Sequence, residues 1–451
     1  MSIININKIL IANRGEIVRR IIQTCKKLQI ESVVVYSEAD KHLPYIKEAT
    51  YAYYIGESIS DKSYLNQDII LDIAHKEKVD AIHPGYGFLA ENAEFAHTVE
   101  NNGFNFIGPT AEIIETLGNK IQARKTMKSA KIPVIPGSDE PVNEEEAIKI
   151  SKDIGYPIML KASAGGGGIG MKRCENEDEL REFFVSNQKK AKKNFGSDEL
   201  FIEKFIKNGR HIEVQIFGDT FGNVVHLFER DCSIQRRNQK IIEETPSPFL
   251  SNTSKQKMYK TAIQAVKKLG YYNAGTIEFI VDQEENFYFL EMNTRIQVEH
   301  PITEETTGID MIAWQIYISD EKEIPLNQSE ITKKGHAIEF RVCAEDSVSF
   351  LPSPGTIQDF SYSEATGIRV DTGYENGSEV SPYYDSLIAK IIIVASDRNK
   401  TINKSKIFFD KLNLIGINSN IDLFKKILLN DNFITGNYTT SFLQNYNAKI
   451  F

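Results

Sequence analysis

The sequence predicts an α/β unit followed by an α+β remainder, and three observations carry that prediction. Short apolar runs alternate with helical periodicity over the first third of the chain. A glycine-dense loop then sits between two strand-like runs. From His211 onward, hairpins and Pro/Gly turns replace the alternation.

Lys8-Ile-Leu-Ile-Ala12 is a buried-strand run and Asn13-Arg-Gly-Glu16 its turn. Ile17, Ile21, Ile22 and Leu28 recur at helical spacing before the strand Val33-Val-Val-Tyr36, which completes a βαβ unit. Ala81 to Gly87, a helical stretch from Glu91 and Phe104 to Gly108 extend the pattern, so a parallel sheet with crossover helices is expected. The pattern breaks at Pro133-Val-Ile-Pro-Gly137. A smaller unit follows: the strand Pro157 to Lys161, the loop Ala164 to Gly170, a charged helix from Glu177 and the strand Leu200 to Glu203. Beyond it come the hairpin Ile212 to Phe228, a Pro/Ser loop at Thr245 to Pro248, a helix, a strand pair, and a mixed region from His336.

Composition narrows the function. With 451 residues, about three domains are expected at ~150 residues each. A net charge of −9 argues against a dedicated DNA binder. Cys25, Cys174, Cys232 and Cys343 are far apart, which suits a reducing compartment and neither a disulfide framework nor a zinc site. No run approaches the ~18–20 apolar residues of a spanning helix. The first residues resemble neither a signal nor a transit peptide, so the expected location is cytoplasmic.

Gly165, Gly166, Gly167, Gly168 and Gly170 leave backbone N–H groups open to an anion, and Lys161 ends the preceding strand. Met171 after Gly170 excludes a P-loop. The loop reads as a hairpin flap over phosphate or as a surface loop. In the hairpin Thr276 to Asn293, a turn centred on Glu284–Glu285 sets Glu278 opposite Glu291, with Asn293 on the same face. Opposed carboxylates repel unless neutralised, and oxygen donors of this kind suit Mg²⁺ or Mn²⁺. A solvated acidic face is the alternative. Arg295, Gln297 and Glu299 alternate directly afterwards, as a salt-bridge ladder or as an oxyanion site with an adjacent base. Gln235 to Lys240 is a basic stretch that reads as a surface for substrate anions.

Taken together, Ile11-Ala-Asn-Arg-Gly-Glu-Ile17, His83-Pro-Gly-Tyr-Gly-Phe88, Lys161-Ala-Ser with its glycine loop, Glu229-Arg-Asp-Cys-Ser-Ile-Gln-Arg-Arg237, Glu291 to Pro301 and Phe350-Leu-Pro-Ser-Pro-Gly355 resemble the biotin carboxylase family of ATP-grasp enzymes. The resemblance runs over nearly the whole chain. It implies a doubly wound N-terminal domain (1–118), an ATP-grasp domain (119–322) with a mobile lid at about 133–205, and a β-rich C-terminal domain (335–445). It implies that ATP, bicarbonate and carrier-bound biotin give carboxybiotin, ADP and phosphate. Lys120, Lys161, Gly165 to Gly168, Glu203, Lys204, Ile206, His211, Gln235, Asn238, Glu278 and Glu291 would bind ATP. Glu278, Glu291 and Asn293 would hold two Mg²⁺ or Mn²⁺ ions. Lys240, Arg295, Gln297 and Val298 would bind bicarbonate, with Glu299 as its base. Tyr86, Arg295 and Arg341 would meet biotin, Arg341 stabilising its enolate.

Three positions depart from the family pattern: Asn238 where many members carry His, Ile169 in place of a basic loop residue, and Asn119 before Lys120 where Asp is common. No Met-Lys-Met biotinylation site occurs. A stand-alone subunit is therefore expected, working with a biotin carboxyl carrier protein and carboxyltransferase subunits, most often those of acetyl-CoA carboxylase in fatty-acid synthesis, and the resemblance implies a homodimer. Pyruvate and propionyl-CoA carboxylase subunits look similar. Another ATP-grasp ligase and a non-catalytic nucleotide binder are the rival readings; the Arg295 to His300 run with Arg341 argues against the first, and the intact Glu278, Glu291, Asn293 and Glu299 against the second.

Overall fold

Five parallel strands open the chain: β1 (Lys8–Ile11), β2 (Glu31–Tyr36), β3 (Tyr51–Tyr54), β4 (Ala81–His83) and β5 (Asn105–Phe106), in the order β3-β2-β1-β4-β5. The structure is a computed structural model and describes residues 4–163 and 170–447. Gly15, at φ 73°, makes the sharp exit from β1 into the helix Glu16–Leu28, a conformation that a side chain would strain. That helix buries Ile17, Ile21, Ile22 and Cys25 against one face of the sheet. The helices Gln67–Glu77 and Ala93–Asn101 cover the other, so the domain is doubly wound. Strand order reverses between β1 and β4, and the loops carrying Asn13 and Tyr86 meet there. Asn13 Nδ2 donates to the Pro84 and Tyr86 carbonyls at 2.7 and 2.8 Å.

A small antiparallel sheet forms the second layer: β6 (Ile158–Ala162), β7 (Met171–Cys174) and β8 (Leu200–Lys204), in the order β7-β6-β8. The helices Glu144–Ile154 and Glu177–Phe195 cover it around Ile148, Leu160, Leu180 and Ile202. Their starts are capped locally, Asn143 with Glu146 in a reciprocal box and Asn176 through Glu179 N–H. Asn119 finds its explanation in the same way. Its Oδ1 accepts from Gln122 N–H at 3.0 Å and caps the helix Lys120–Ser129, a task Asp performs equally well. The glycines Gly165 to Gly168, and Ile169, lie outside the described residues.

The long strands are β9 (Arg210–Gly218), β10 (Val224–Arg236), β11 (Gln239–Thr245), β12 (Asn273–Val281), β13 (Phe287–Asn293) and β14 (His336–Cys343). The short β15 (Gly355–Thr356) and β16 (Asp359–Ser361) follow, then β17 (Ile368–Thr372), β18 (Glu379–Val380), β19 (Leu387–Ala395) and β20 (Asn413–Ile415). One eight-stranded sheet runs β13-β12-β9-β10-β11-β14-β19-β17. It is continuous across the expected 322/335 boundary, because β11 pairs β14 directly, Ile242 opposite Phe340. Its cores hold Val214, Phe279 and Met258 at one end and Phe340, Phe409 and Phe424 at the other. Cys25, Cys174, Cys232 and Cys343 are all unpaired. Among the described residues no helix is long and apolar enough to cross a membrane.

Candidate active site

The central strand β9 alternates His211, Glu213 and Gln215 onto one face, as strand pleat requires. Lateral pairing turns this alternation into a charged row. Arg230 on β10 lies opposite Glu213, Glu213 opposite Glu278 on β12, and Glu278 opposite Glu291 on β13. Three adjacent glutamates in a sheet repel one another and need cations close by. Arg230 supplies one, its Nε 2.5 Å from Glu213 Oε1.

Lys240, on β11, supplies the second. Its Nζ lies 2.6 Å from Glu213 Oε2, 2.8 Å from Glu278 Oε1 and 2.7 Å from Glu299 Oε1. Burial opposes the charge on Lys240, yet these carboxylates hold its pKa well above the ordinary value. His211 closes the other side, with Nε2 2.8 Å from Glu278 Oε2 and Nδ1 2.9 Å from Gln235 Nε2. Burial alone would lift the Glu278 carboxyl, but Lys240 and His211 hold it well below the carboxylate range. Glu291 shows the opposite balance. Burial and the facing Glu278 push it up, and Lys120 and His211 only partly offset this. Asn293 Nδ2 donates to Glu278 Oε1 at 2.8 Å, and Glu291 lies opposite Glu278 in the β12–β13 pairing.

The expected β12–β13 turn is corrected by the structure. A two-residue turn at Glu284–Glu285 does not form; the loop spans Asp282 to Asn286, with Asp282 Oδ1 accepting from the Glu284 and Asn286 N–H groups. Pairing near the loop is offset by one residue, Phe279 opposite Phe289, and a bulge at Leu290 restores the register before Glu278 and Glu291.

Residues 294–299 also depart from expectation, since they turn rather than extend. Arg295 and Gln297 still meet, Nη1 to Oε1 at 3.0 Å, and Arg295 Nε pairs with Glu91 at 2.8 Å. Glu299 instead turns inward at the start of the helix His300–Thr307, fully buried. Its Oε2 lies 2.8 Å from Arg341 Nη2 and its Oε1 faces Lys240. Burial would raise its pKa, but these two cations hold it well below the usual range. The Val298 carbonyl accepts from Lys390 Nζ at 2.9 Å, and Lys390 also pairs with Glu16 at 3.0 Å. Tyr86 donates its hydroxyl to the same Glu16.

Lys161 and Glu203 form a second cluster at the foot of the small sheet. They are ion-paired to each other, and Arg124 Nη1 reaches Glu203 Oε1 at 3.0 Å. Gly137 passes so close to β8 that a Cβ there would sit 2.2 Å from the Ile202 carbonyl. Burial lowers the pKa of Lys120, which lies in the field of Glu291 and Glu203. Lys204 turns away, its Nζ donating to the Gly155 and Tyr156 carbonyls at 2.9 and 3.1 Å. Ile206 lies between β8 and β9, half-buried.

Asn238 is exposed at the β10–β11 hairpin tip, where Arg237 and Asn238 both take left-handed φ, 49° and 66°. Asn tolerates that conformation better than most residues, so a local reason for it exists apart from any ligand. The basic stretch around it is not a free anion surface either: Arg236 pairs with Glu345 and stacks on Phe350 at 4.8 Å. Glu213, Arg230, Glu16 and Lys390 were not picked out as site residues by sequence reasoning. Only the alternation of Glu213 with His211 and Gln215 offered a local signal.

Three family models match consecutive parts of the chain. They are "Biotin carboxylase, N-terminal domain" over 5–114, "Carbamoyl-phosphate synthase L chain, ATP binding domain" over 119–327 and "Biotin carboxylase C-terminal domain" over 339–445. The Biotin carboxylase of Halalkalibacterium halodurans is 50% identical over 440 residues, 97% of each chain. A pyruvate carboxylase subunit of Methanothermobacter thermautotrophicus is 46% identical over 98% of this chain and 91% of its own. A crystal structure of a biotin carboxylase–β,γ-ATP complex from Campylobacter jejuni superposes with a TM-score of 0.96, at 44% identity over 98% of this chain and 99% of that one. The biotin carboxylase domain dimer of Hydrogenobacter thermophilus 2-oxoglutarate carboxylase, solved with MgADP, ADP and bicarbonate, gives 0.95 at 45% identity over 98% of both chains. The expected three-part α/β architecture is thus the one these proteins share, and the chain belongs to the biotin carboxylase family of ATP-dependent ligases.

Proposed function

We propose that this enzyme carboxylates biotin presented by a carrier protein, using ATP and bicarbonate and releasing ADP and phosphate. The observation that supports this most directly is Glu299. It is buried, held ionised, and fixed between Lys240 and Arg341, with Arg295 and Gln297 in the same loop. A carboxylate so placed can take the proton of bicarbonate when the anion docks on Arg295, Gln297 and the Val298 backbone. Lys240 and Arg341 then stabilise negative charge on either side of the reacting carbon, Lys240 toward the phosphorylated intermediate and Arg341 toward the biotin enolate. The proposed nucleotide site is lined by Lys120, Lys161, Glu203, Ile206, His211, Gln235, Glu278 and Glu291.

The opposed Glu278 and Glu291, joined by Asn293, fit Mg²⁺ or Mn²⁺: burial and the facing Glu278 push the Glu291 carboxyl up, and a divalent ion would relieve both carboxylates. A bound ion would neutralise phosphate charge. For the metabolic role we favour the biotin carboxylase subunit of a cytoplasmic acetyl-CoA carboxylase, working as a homodimer with carboxyltransferase subunits. A pyruvate carboxylase role is the second reading, favoured by the 46% identity to the Methanothermobacter protein. The experiment is ATP hydrolysis with Mg²⁺ and bicarbonate, with and without biotin or a biotinylated carrier. Stimulation by the acceptor supports the reading. Hydrolysis indifferent to both acceptors rejects it.

A further inference from the structure

Beyond Glu299 the charged cluster continues into two carboxyls that the chemistry above does not use. Glu243 on β11 and Glu339 on β14 are direct antiparallel partners, and both are fully buried. Arg341, two residues past Glu339, projects to the same face. Its Nη2 lies 2.6 Å from Glu243 Oε1 and 2.8 Å from Glu299 Oε2, so one guanidinium edge serves two carboxylates. None of the four carboxyl oxygens of Glu243 and Glu339 has a hydrogen-bond partner among the described residues, so Glu243 meets Arg341 as an ion pair.

The groups facing this pair are few. Glu213 on β9, Cys232 on β10 and Lys240 on β11 stand on the Glu243 side. Lys390 on β19 stands on the Glu339 side, but its Nζ is engaged by the Val298 carbonyl and Glu16. Glu299 and Arg341 face both, and buried His300, on the helix packed against β11 and β14, is held neutral. Burial pushes Glu243 up to about 7 against the pull of Arg341, and pushes Glu339 well above the carboxylate range. Two opposed buried carboxyls, one beside Arg341 and the other without a hydrogen-bond partner, do not both ionise near neutral pH.

We propose that Glu243, opposed across the β11–β14 pair by Glu339, is the positioning residue that keeps Arg341 aimed at the acceptor. The inference rests on the biotin carboxylase reading above. Its logic is one of charge. When Glu299 takes a proton, its attraction for Arg341 falls, and Glu243 becomes the remaining anion that holds the guanidinium. A second charge on Glu339 would draw Arg341 back along its own strand.

The test compares wild type, Glu243→Gln and Glu339→Gln for bicarbonate-dependent ATP hydrolysis without biotin and for its stimulation by biotin. In Glu243→Gln the stimulation is expected to fall about tenfold or more, while hydrolysis without biotin and the KM for ATP change less than about threefold. A merely structural role would lower both rates together. In Glu339→Gln, where no second carboxylate can form, the alkaline limb of the stimulation is expected to move to higher pH. If Glu243→Gln does not fold, Glu243→Asp, which withdraws the carboxylate by one methylene, is read in the same way. Parallel loss of both rates, no loss in either, or an unmoved pH profile in Glu339→Gln overturns the positioning role. Wild-type enzyme that biotin and a biotinylated carrier both fail to stimulate overturns the functional reading itself.

Discussion

Lys240 Nζ and Glu299 Oε1 lie 2.7 Å apart, and the same ammonium also serves Glu213 and Glu278. One cation thus links the proposed proton acceptor to the proposed nucleotide and metal carboxylates. Neither group is free to be altered without disturbing the other.

Glu299→Gln removes the proton acceptor and keeps the side-chain volume. Bicarbonate-dependent turnover should fall by about 10²–10⁴-fold, while ATP affinity, read by calorimetry, stays within a few-fold of wild type. Turnover at the wild-type rate would show that another group takes the proton.

Lys240→Met should be costly to the fold as well as to turnover. It strips three buried carboxylates of a shared counter-charge, and breaking a buried pair in this way costs about 3–5 kcal/mol. Denaturant unfolding would show it as a lower midpoint at unchanged slope. An unaltered midpoint would mean that Arg230, Arg341 and His211 neutralise the row by themselves.

Glu291→Gln removes one of two opposed carboxylates. The Mg²⁺ concentration for half-maximal turnover should rise by about ten- to a hundredfold, and chelation should stop wild-type turnover. A Mg²⁺ titration that overlays wild type would take Glu291 out of the ligand set.

Acid stability should follow Glu244 and Glu304. Each is held down to about 2 despite burial, Glu244 by its hydrogen bond with His336 and by the Arg398 guanidinium, Glu304 by Arg20 and Arg369. Because the folded pKa lies below the unfolded one, near ~4.3, the stabilisation is complete above that value. It is lost as pH falls toward 2, with each site contributing about 3 kcal/mol. Unfolding free energies measured from pH 6 downward should therefore decline most steeply below ~4.3. Glu244→Gln should be less stable at neutral pH and show a shallower acid slope; a slope equal to wild type would contradict the assignment.

Local features were the legible part of this protein. The strand run Lys8 to Ala12, the turn Asn13 to Glu16 and the helical spacing of Ile17, Ile21, Ile22 and Leu28 are short-range signals, readable because they act within a few residues. The opposition of Glu278 and Glu291 was also readable, although through a turn that does not form. A five-residue loop and a compensating bulge at Leu290 lead to the same pairing, and neither leaves a mark in the hydrophobic pattern. The turn at 294–299 was missed because polar alternation there resembles a strand, whereas Pro301 and the helix it starts bend the chain early.

By itself the sequence determined the order of the layers, the glycine loop between its strands, and the motifs that tie the chain to its family. Those depend on neighbours along the chain or on patterns that many residues share. Only the tertiary structure decided that Arg230 lies beside Glu213, that Lys240 serves three carboxylates, and that Glu243 faces Glu339 behind Arg341. These contacts join strands separated by up to about a hundred residues. A buried charge is stable only beside the counter-charge that pairing brings to it, and that partner is invisible until the sheet is assembled.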